Sequence, residues 1–175
     1  MIMKNIFNLF LLAALLSGAQ SCNEGTSSNI VYNISFDDIS AYTNDPTIVN
    51  NTASHSGLNC VQINKDLIYG STFSKKLSTI SPTPIHHVKL KAWTRLSSSN
   101  GHVKIVCSVE NDSSKSFFWN ALDSKSFNLK NGEWTELKGE FDISAHNDPA
   151  YLLKIYPVYQ DGEMILIDDL EIAFD

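Results

Sequence analysis

From residue 30 onward the apolar residues recur at every second position, and that period dictates strands. Successive side chains of a strand point to opposite faces, so each alternating run has one apolar face to bury. "IVYNISF" alternates Tyr32, Ile34 and Phe36, and "LNCVQINK", after a Ser56–Gly57 turn, alternates Val61 and Ile63. "GSTFSKKLSTI" carries Phe73 and Leu77 in phase until "SPTP" ends the run, because proline has no N–H for a ladder. "HHVKLKAWTRL" places Val88, Leu90 and Ala92 on one face, and "SSSNG" turns the chain into "HVKIVCSVE". "KSFFWNAL", the short "SFNL", an Asn131–Gly132 hairpin signal, "EWTELKGEFDI", "YLLKIYPVY" and "MILIDDLEIAF" complete the series. About nine strands separated by turn residues, with no helical period among them, predict an all-β fold: a jelly-roll β-sandwich of antiparallel strands.

The last run breaks its own rule. Ile165 and Ile167 share one parity, whereas Leu170, Ile172 and Phe174 have the other. A single flat strand cannot bury both sets on one side. One inserted residue at Asp168–Asp169, a β-bulge, restores an inward apolar face on both sides. Two carboxylates at a bulge need partners, either local N–H donors or a cation.

Residues 1–29 are a different kind of sequence. Lys4, the apolar stretch "IFNLFLLAALL" and the small residues Ser17, Gly18 and Ala19 read as a signal peptide over 1–21. Cys22 follows directly, and "AQSC" resembles the lipobox of bacterial lipoproteins, whose N-terminal cysteine is acylated. That resemblance implies lipidation at Cys22, a flexible tether over 22–29 and a single domain over 30–175. It places the protein on the bacterial outer membrane or cell surface, touching the membrane only through the lipid; plain secretion is the alternative if Cys22 is not acylated. The net charge of −6, with 13 Lys and Arg against 19 Asp and Glu and no basic block, excludes sequence-independent nucleic-acid binding.

Of three cysteines, Cys107 shares the apolar face of Val103, Ile105 and Val109, while Cys60 lies out of phase with Val61 and Ile63. A Cys60–Cys107 disulfide is therefore not expected. The sequence has no G-x-S-x-G elbow and no glycine-rich phosphate loop, and its five histidines are scattered. His86 and His87 point to opposite faces of one strand. An enzyme is not indicated.

"SFDD", "SG" followed by "CVQI", "KLKAWTR", "GEWTELKGEFDI" and "ILIDDLEI" stand in an order that resembles one family. They are similar to the carbohydrate-binding modules of the family 4/9 type, in the galactose-binding-like jelly-roll group. The resemblance implies a structural Ca²⁺ between the first and last strands, held here by Asp37, Asp168 and Asp169. The alternative for these aspartates is to accept backbone N–H bonds and cap turns. It also implies a non-catalytic protein that binds a polysaccharide or oligosaccharide for separately encoded glycan-degrading or uptake proteins. Sugar rings stack on outward aromatic faces, and parity selects the candidates. Trp93 has the parity of Lys89, Lys91 and Arg95; Trp119 is the outward aromatic favoured in "KSFFWNAL"; Tyr156 shares the parity of Lys154. Trp93, Lys91, Arg95, Trp119 and Tyr156 are the candidate ligand-binding residues, with Trp134 expected over the end of the sandwich. The other readings are a loop covering Trp93 on a structural or protein-interacting lipoprotein that lacks a sugar site, and a small glycan-active enzyme.

Overall fold

The computed structural model describes residues 30–38 and 45–175; the expected signal peptide, Cys22 and its tether lie outside the described residues. Ten strands form two antiparallel sheets: β1 (Ile30–Ile34), β2 (Val49–Asn50), β3 (Cys60–Asn64), β4 (Phe73–Lys76), β5 (His87–Leu96), β6 (His102–Glu110), β7 (Ser116–Asp123), β8 (Trp134–Asp142), β9 (Leu152–Asp161) and β10 (Met164–Phe174). The larger sheet runs β2-β3-β10-β5-β8 with β1 also paired to β10, and the smaller runs β4-β9-β6-β7. This is the jelly-roll sandwich that the alternation predicts.

The inward faces fill one core. Val61, Ile63, Val88, Leu90, Leu137, Ile165, Ile167 and Ile172 from the six-stranded sheet join Val103, Ile105, Cys107, Val109, Leu153 and Ile155 from the four-stranded one. At 20–33 cal/mol per Å² of apolar area removed from water, this burial is the main force holding the sheets together. Cys60 and Cys107 are both buried free thiols, Cys107 in this core and Cys60 on the opposite side of β3, so no disulfide joins them.

The bulge is present. Asp168 stands opposite Trp93 and Glu171 opposite Lys91, so three steps along β10 match two along β5. Asp169 supplies the extra residue at φ 46, a left-handed conformation that aspartate tolerates better than most side chains. The bulge also marks a change of neighbour. Up to Ile167 one edge of β10 pairs with β3, and from Leu170 it pairs with β1. Asp168 and Asp169 occupy the gap between those two partners.

Local differences from the expected strands have local causes. β1 ends at Ile34, and Phe36 reaches the core from a turn with φ 62 rather than from a strand. Leu77 opens a single helical turn, α1 (Leu77–Ile80), whose Leu77 and Ile80 are buried. "SFNL" is not a strand: Ser124–Ser126 form a 3₁₀ turn capped by the Asp123 carboxylate, which accepts from the Lys125 N–H at 2.9 Å.

Candidate functional site

The candidate binding residues divide between the two outer faces of the sandwich. Lys91, Trp93 and Arg95 project from β5 on the six-stranded sheet, as their parity requires, while Trp119 and Tyr156 project from β7 and β9 on the four-stranded sheet. They are therefore not one site.

On the six-stranded face the segment between β2 and β3 returns over β5. The His55 ring stacks on Trp93 with centroids 4.0 Å apart and planes 14° from parallel, and its edge meets Trp134 at 5.5 Å. Trp134 stands opposite Arg95 on this same face, not over the end of the sandwich. The bulge carboxylates hold the segment down. Asp168 Oδ2 accepts the N–H groups of His55 (2.8 Å) and Ser56 (3.1 Å), and its Oδ1 accepts that of Asp169 (2.8 Å). Asp169 Oδ2 lies 2.6 Å from His55 Nδ1, and its Oδ1 accepts from the Ser56 hydroxyl at 2.7 Å. Asp168 is wholly inaccessible. Burial pushes its carboxyl above the ordinary value, the Ser56, Asp169 and His55 amides pull the other way, and the neighbouring Asp169 charge adds to the upward push. The Cys60 thiol beneath the same segment is pushed up to about 12, by burial and then by Asp168.

Asp37 anchors the far end of the segment. Its Oδ1 accepts from the Leu58 and Asn59 N–H groups at 2.6 and 3.0 Å, which hold its carboxyl below the ordinary range. Gly57, at φ 57, has no alternative here: a Cβ would lie 2.0 Å from the Asp37 carboxylate. Asp37, Asp168 and Asp169 thus all accept N–H or O–H donors from residues 55–59. The ligand atoms of these three carboxylates do not all lie within 4.8 Å of one another. Among the described residues, the group of three His, Cys, Asp or Glu side chains whose ligand atoms lie within 4.8 Å of one another is His87, Glu140 and Asp175. In this geometry the three aspartates cap the loop of residues 55–59.

The four-stranded face is open. Trp119 is 54% exposed on β7, with Lys104 Nζ 5.8 Å from its ring centre. Tyr156 lies two strands away on β9, roughly 10 Å across the sheet, and Tyr69 (63% exposed) approaches it at 6.2 Å between ring centres. Between them β6 presents Val106 and Ser108, which point outward yet are 0% and 1% exposed. The larger side chains around them therefore close over the middle of this face. Lys154 and Glu110 form an ion pair at 2.9 Å along it, Lys104 and Asp123 meet at 3.7 Å, and Phe117 stacks on Tyr151 at 4.6 Å. Aromatic faces flanked by fixed charged and hydroxyl groups suit a ligand with alternating C–H and O–H surfaces.

Sequence reading missed His55, Tyr69, Glu110 and Tyr151. Glu110 and Lys154 carry a weak signal, since both have outward parity on strands that become neighbours. Tyr69 and His55 carry none, because they act from loops.

The sequence matches no family model, and a search of curated proteins finds no match. Solved structures do match. The fold is similar to the CBM22-2 xylan-binding domain of Paenibacillus barcinonensis Xyn10C, at 12% identity and TM-score 0.61, covering 82% of this chain and 99% of that one. It is also similar to the CBM22-1 xylan-binding domain of the same enzyme (15% identity, TM-score 0.52, 72% and 78% covered). A third is the C-terminal family 22 carbohydrate binding module of Clostridium thermocellum Xyn10B (10% identity, TM-score 0.52, 72% and 78% covered). These neighbours are family 22 modules, where the sequence resembles the 4/9 type. At such identities the likeness establishes a shared architecture: the described chain is folded as a jelly-roll sandwich of the kind carbohydrate-binding modules use.

Proposed function

We propose that this protein is a non-catalytic carbohydrate-binding lipoprotein, which holds a polysaccharide or oligosaccharide on the aromatic outer face of its four-stranded sheet. The observation that carries this reading is Trp119, a large aromatic left open to solvent on the same sheet face as Tyr156, with the exposed Tyr69 beside Tyr156. Sugar rings stack on Trp119 and Tyr156, while Lys154, Glu110 and Lys104 bond hydroxyl groups along the chain. A lipid on Cys22 would hold the domain at the cell envelope, so that the bound glycan stays near separately encoded degrading or uptake proteins. The neighbours' xylan makes that polymer the first ligand to try. Lys91, Trp93 and Arg95, on the other face, take no part in this surface.

Affinity electrophoresis of the 23–175 fragment through gels containing xylan and other soluble polysaccharides tests the reading. Retention on at least one polymer is expected, reduced tenfold or more by Trp119→Ala and by Tyr156→Ala. Loss of one stacked ring at 1.4 kcal/mol per tenfold is within what an aromatic contact supplies. Retention that survives both substitutions, or no retention on any polymer, rejects it.

A second reading has one observation in its favour. The six-stranded face is closed over Trp93 by its own loop, as a structural or protein-interacting lipoprotein without a sugar site would require. It becomes the better account if the Trp119 face proves inert.

A further inference from the structure

Three cations project along β5 on the six-stranded face, and the strand register neutralises two of them. Lys91 faces Glu171 of β10, with Nζ 2.9 Å from its carboxylate, and Lys89 Nζ lies 2.8 Å from Asp175. Arg95 is placed differently: its neighbours across the sheet are Leu166 on β10 and Trp134 on β8. Its Nε donates to the Gly132 carbonyl at 2.8 Å, and among the described residues no carboxylate pairs with the guanidinium. The bond to Gly132 fixes the plane of the group and leaves the two terminal nitrogens as a preset fork.

Arg95 lines a groove of about 280 Å³. Ala53, Met164 and Leu166 supply apolar surface, Asn131 and Gly132 stand at the rim, and Arg95 is the one charged residue in the lining. A bidentate guanidinium takes a carboxylate better than any other common anion except phosphate, and the apolar floor adds nothing for a bare ion. The complementary ligand pairs one carboxylate with a compact C–H face. A hexuronate ring has both.

We infer that this groove binds a carboxylate-bearing sugar residue, with Arg95 as the anion fork, Leu166 and Met164 under the ring and Asn131 bonding a hydroxyl. The site lies on the opposite side of the sandwich from Trp119; its place is independent of that surface, while the choice of a sugar acid rests on the carbohydrate-binding reading. A uronate branch or free uronate is therefore held independently of a neutral backbone. The net charge of −6 opposes any anion at long range, so affinity is modest and falls with added salt at the short range where the fork acts.

The test is an amide NMR titration of the protein with methyl glucuronide, methyl glucoside and acetate in parallel. Expected are saturable shifts centred on Gly132 and Leu166 with the glucuronide, at least tenfold tighter than with either the glucoside or acetate. Arg95→Met should weaken the response tenfold or more. Ala53→Leu, which fills the groove and leaves the fork intact, should also remove it, and it keeps the test sound if Arg95→Met unfolds. Equal affinity for glucoside and glucuronide, acetate binding as tight as the glucuronide, shifts centred elsewhere, or no shifts at all would each overturn the proposal. Because the readout is at Gly132 and Leu166 with a monosaccharide, it is independent of retention on polysaccharide gels.

Discussion

On the six-stranded sheet the outward tryptophan, Trp93, lies beneath the His55 ring at 4.0 Å; on the four-stranded sheet its counterpart, Trp119, is 54% exposed. Both sit on strands, both have outward parity, and both have a lysine or arginine close by in the sheet. What separates them is anchorage. Beside Trp93 a bulged strand presents Asp168 and Asp169 to five donors of residues 55, 56 and 169, so a loop is fastened across the ring. The outer face around Trp119 has no such pair: its carboxylates Glu110 and Asp123 are engaged by Lys154, Lys104 and His102 within the sheet itself. Parity therefore says which side of a sheet an aromatic occupies, and buried acceptors say whether a loop then covers it.

The contrast is broken most directly at Asp168. Asp168→Ala leaves the His55, Ser56 and Asp169 amides without their acceptor, a carboxylate that is itself wholly inaccessible. Each orphaned donor costs on the order of 1 kcal/mol or more, so about 3 kcal/mol of stability is expected to be lost in urea denaturation. The released loop should also shift Trp93 emission to the red. Retention on polysaccharide should not change. A loss under about 1 kcal/mol would mean that the loop is held by something other than the bulge.

The two tryptophans themselves give the next effect. Trp93→Ala removes a half-buried ring and the surface on which His55 rests, an expected loss of about 2 kcal/mol. Trp119→Ala should cost under about 0.5 kcal/mol, as an exposed substitution does, while reducing retention tenfold or more. Reversal of this order in thermal denaturation would exchange the roles assigned to the two faces.

How much of this was legible before the structure follows from the range of each interaction. The bulge was readable because Ile167 and Leu170 are neighbours in sequence and their parities conflict. The outward direction of Trp93, Trp119 and Tyr156 was readable for the same reason. The cover on Trp93 was not: His55 reaches Asp168 across 113 residues, and a histidine beside a Ser-Gly turn carries no mark of its partner. The loop-capping bonds of the aspartates were not legible, since a carboxylate that caps a loop and one that binds a cation look alike in a single sequence. Phe36 and Leu77 were in phase with their strands yet left them for turns, because an apolar side chain records burial and not the backbone that delivers it.

Asp169 sharpens the account of the covered face at smaller cost. Asp169→Asn keeps a side chain that tolerates φ 46 and keeps one acceptor, but it loses the charge facing His55 Nδ1 at 2.6 Å. About 1 kcal/mol is expected to be lost, with Trp93 emission shifting less than in Asp168→Ala. A larger loss than Asp168→Ala produces would identify the His55 contact, rather than the amide bonds, as the fastening.

The smallest effect distinguishes the faces by the sign of their response to acid. Burial holds the Asp168 carboxyl above its ordinary value of 3.8, so the cost of its charge is present above the folded value and disappears as pH falls toward 3.8. Asp123 on the open face behaves oppositely. Burial pushes it up, but the Lys125 amide, His102 and Lys104 together hold it below 3.8. A depressed folded value contributes stability above the unfolded value, and that stability is lost as pH falls through the folded one. Wild type should therefore exceed Asp123→Asn at neutral pH by a fraction of 1 kcal/mol, since the carboxylate is about one-third exposed and solvent screens the pair. The gap should hold from pH 7 down to about 4 and close below it. Urea midpoints of the two proteins across that range measure it. A gap that closes well above pH 4 would show that Asp123 is not held down by its partners, and the open face would then share the acid response of the covered one.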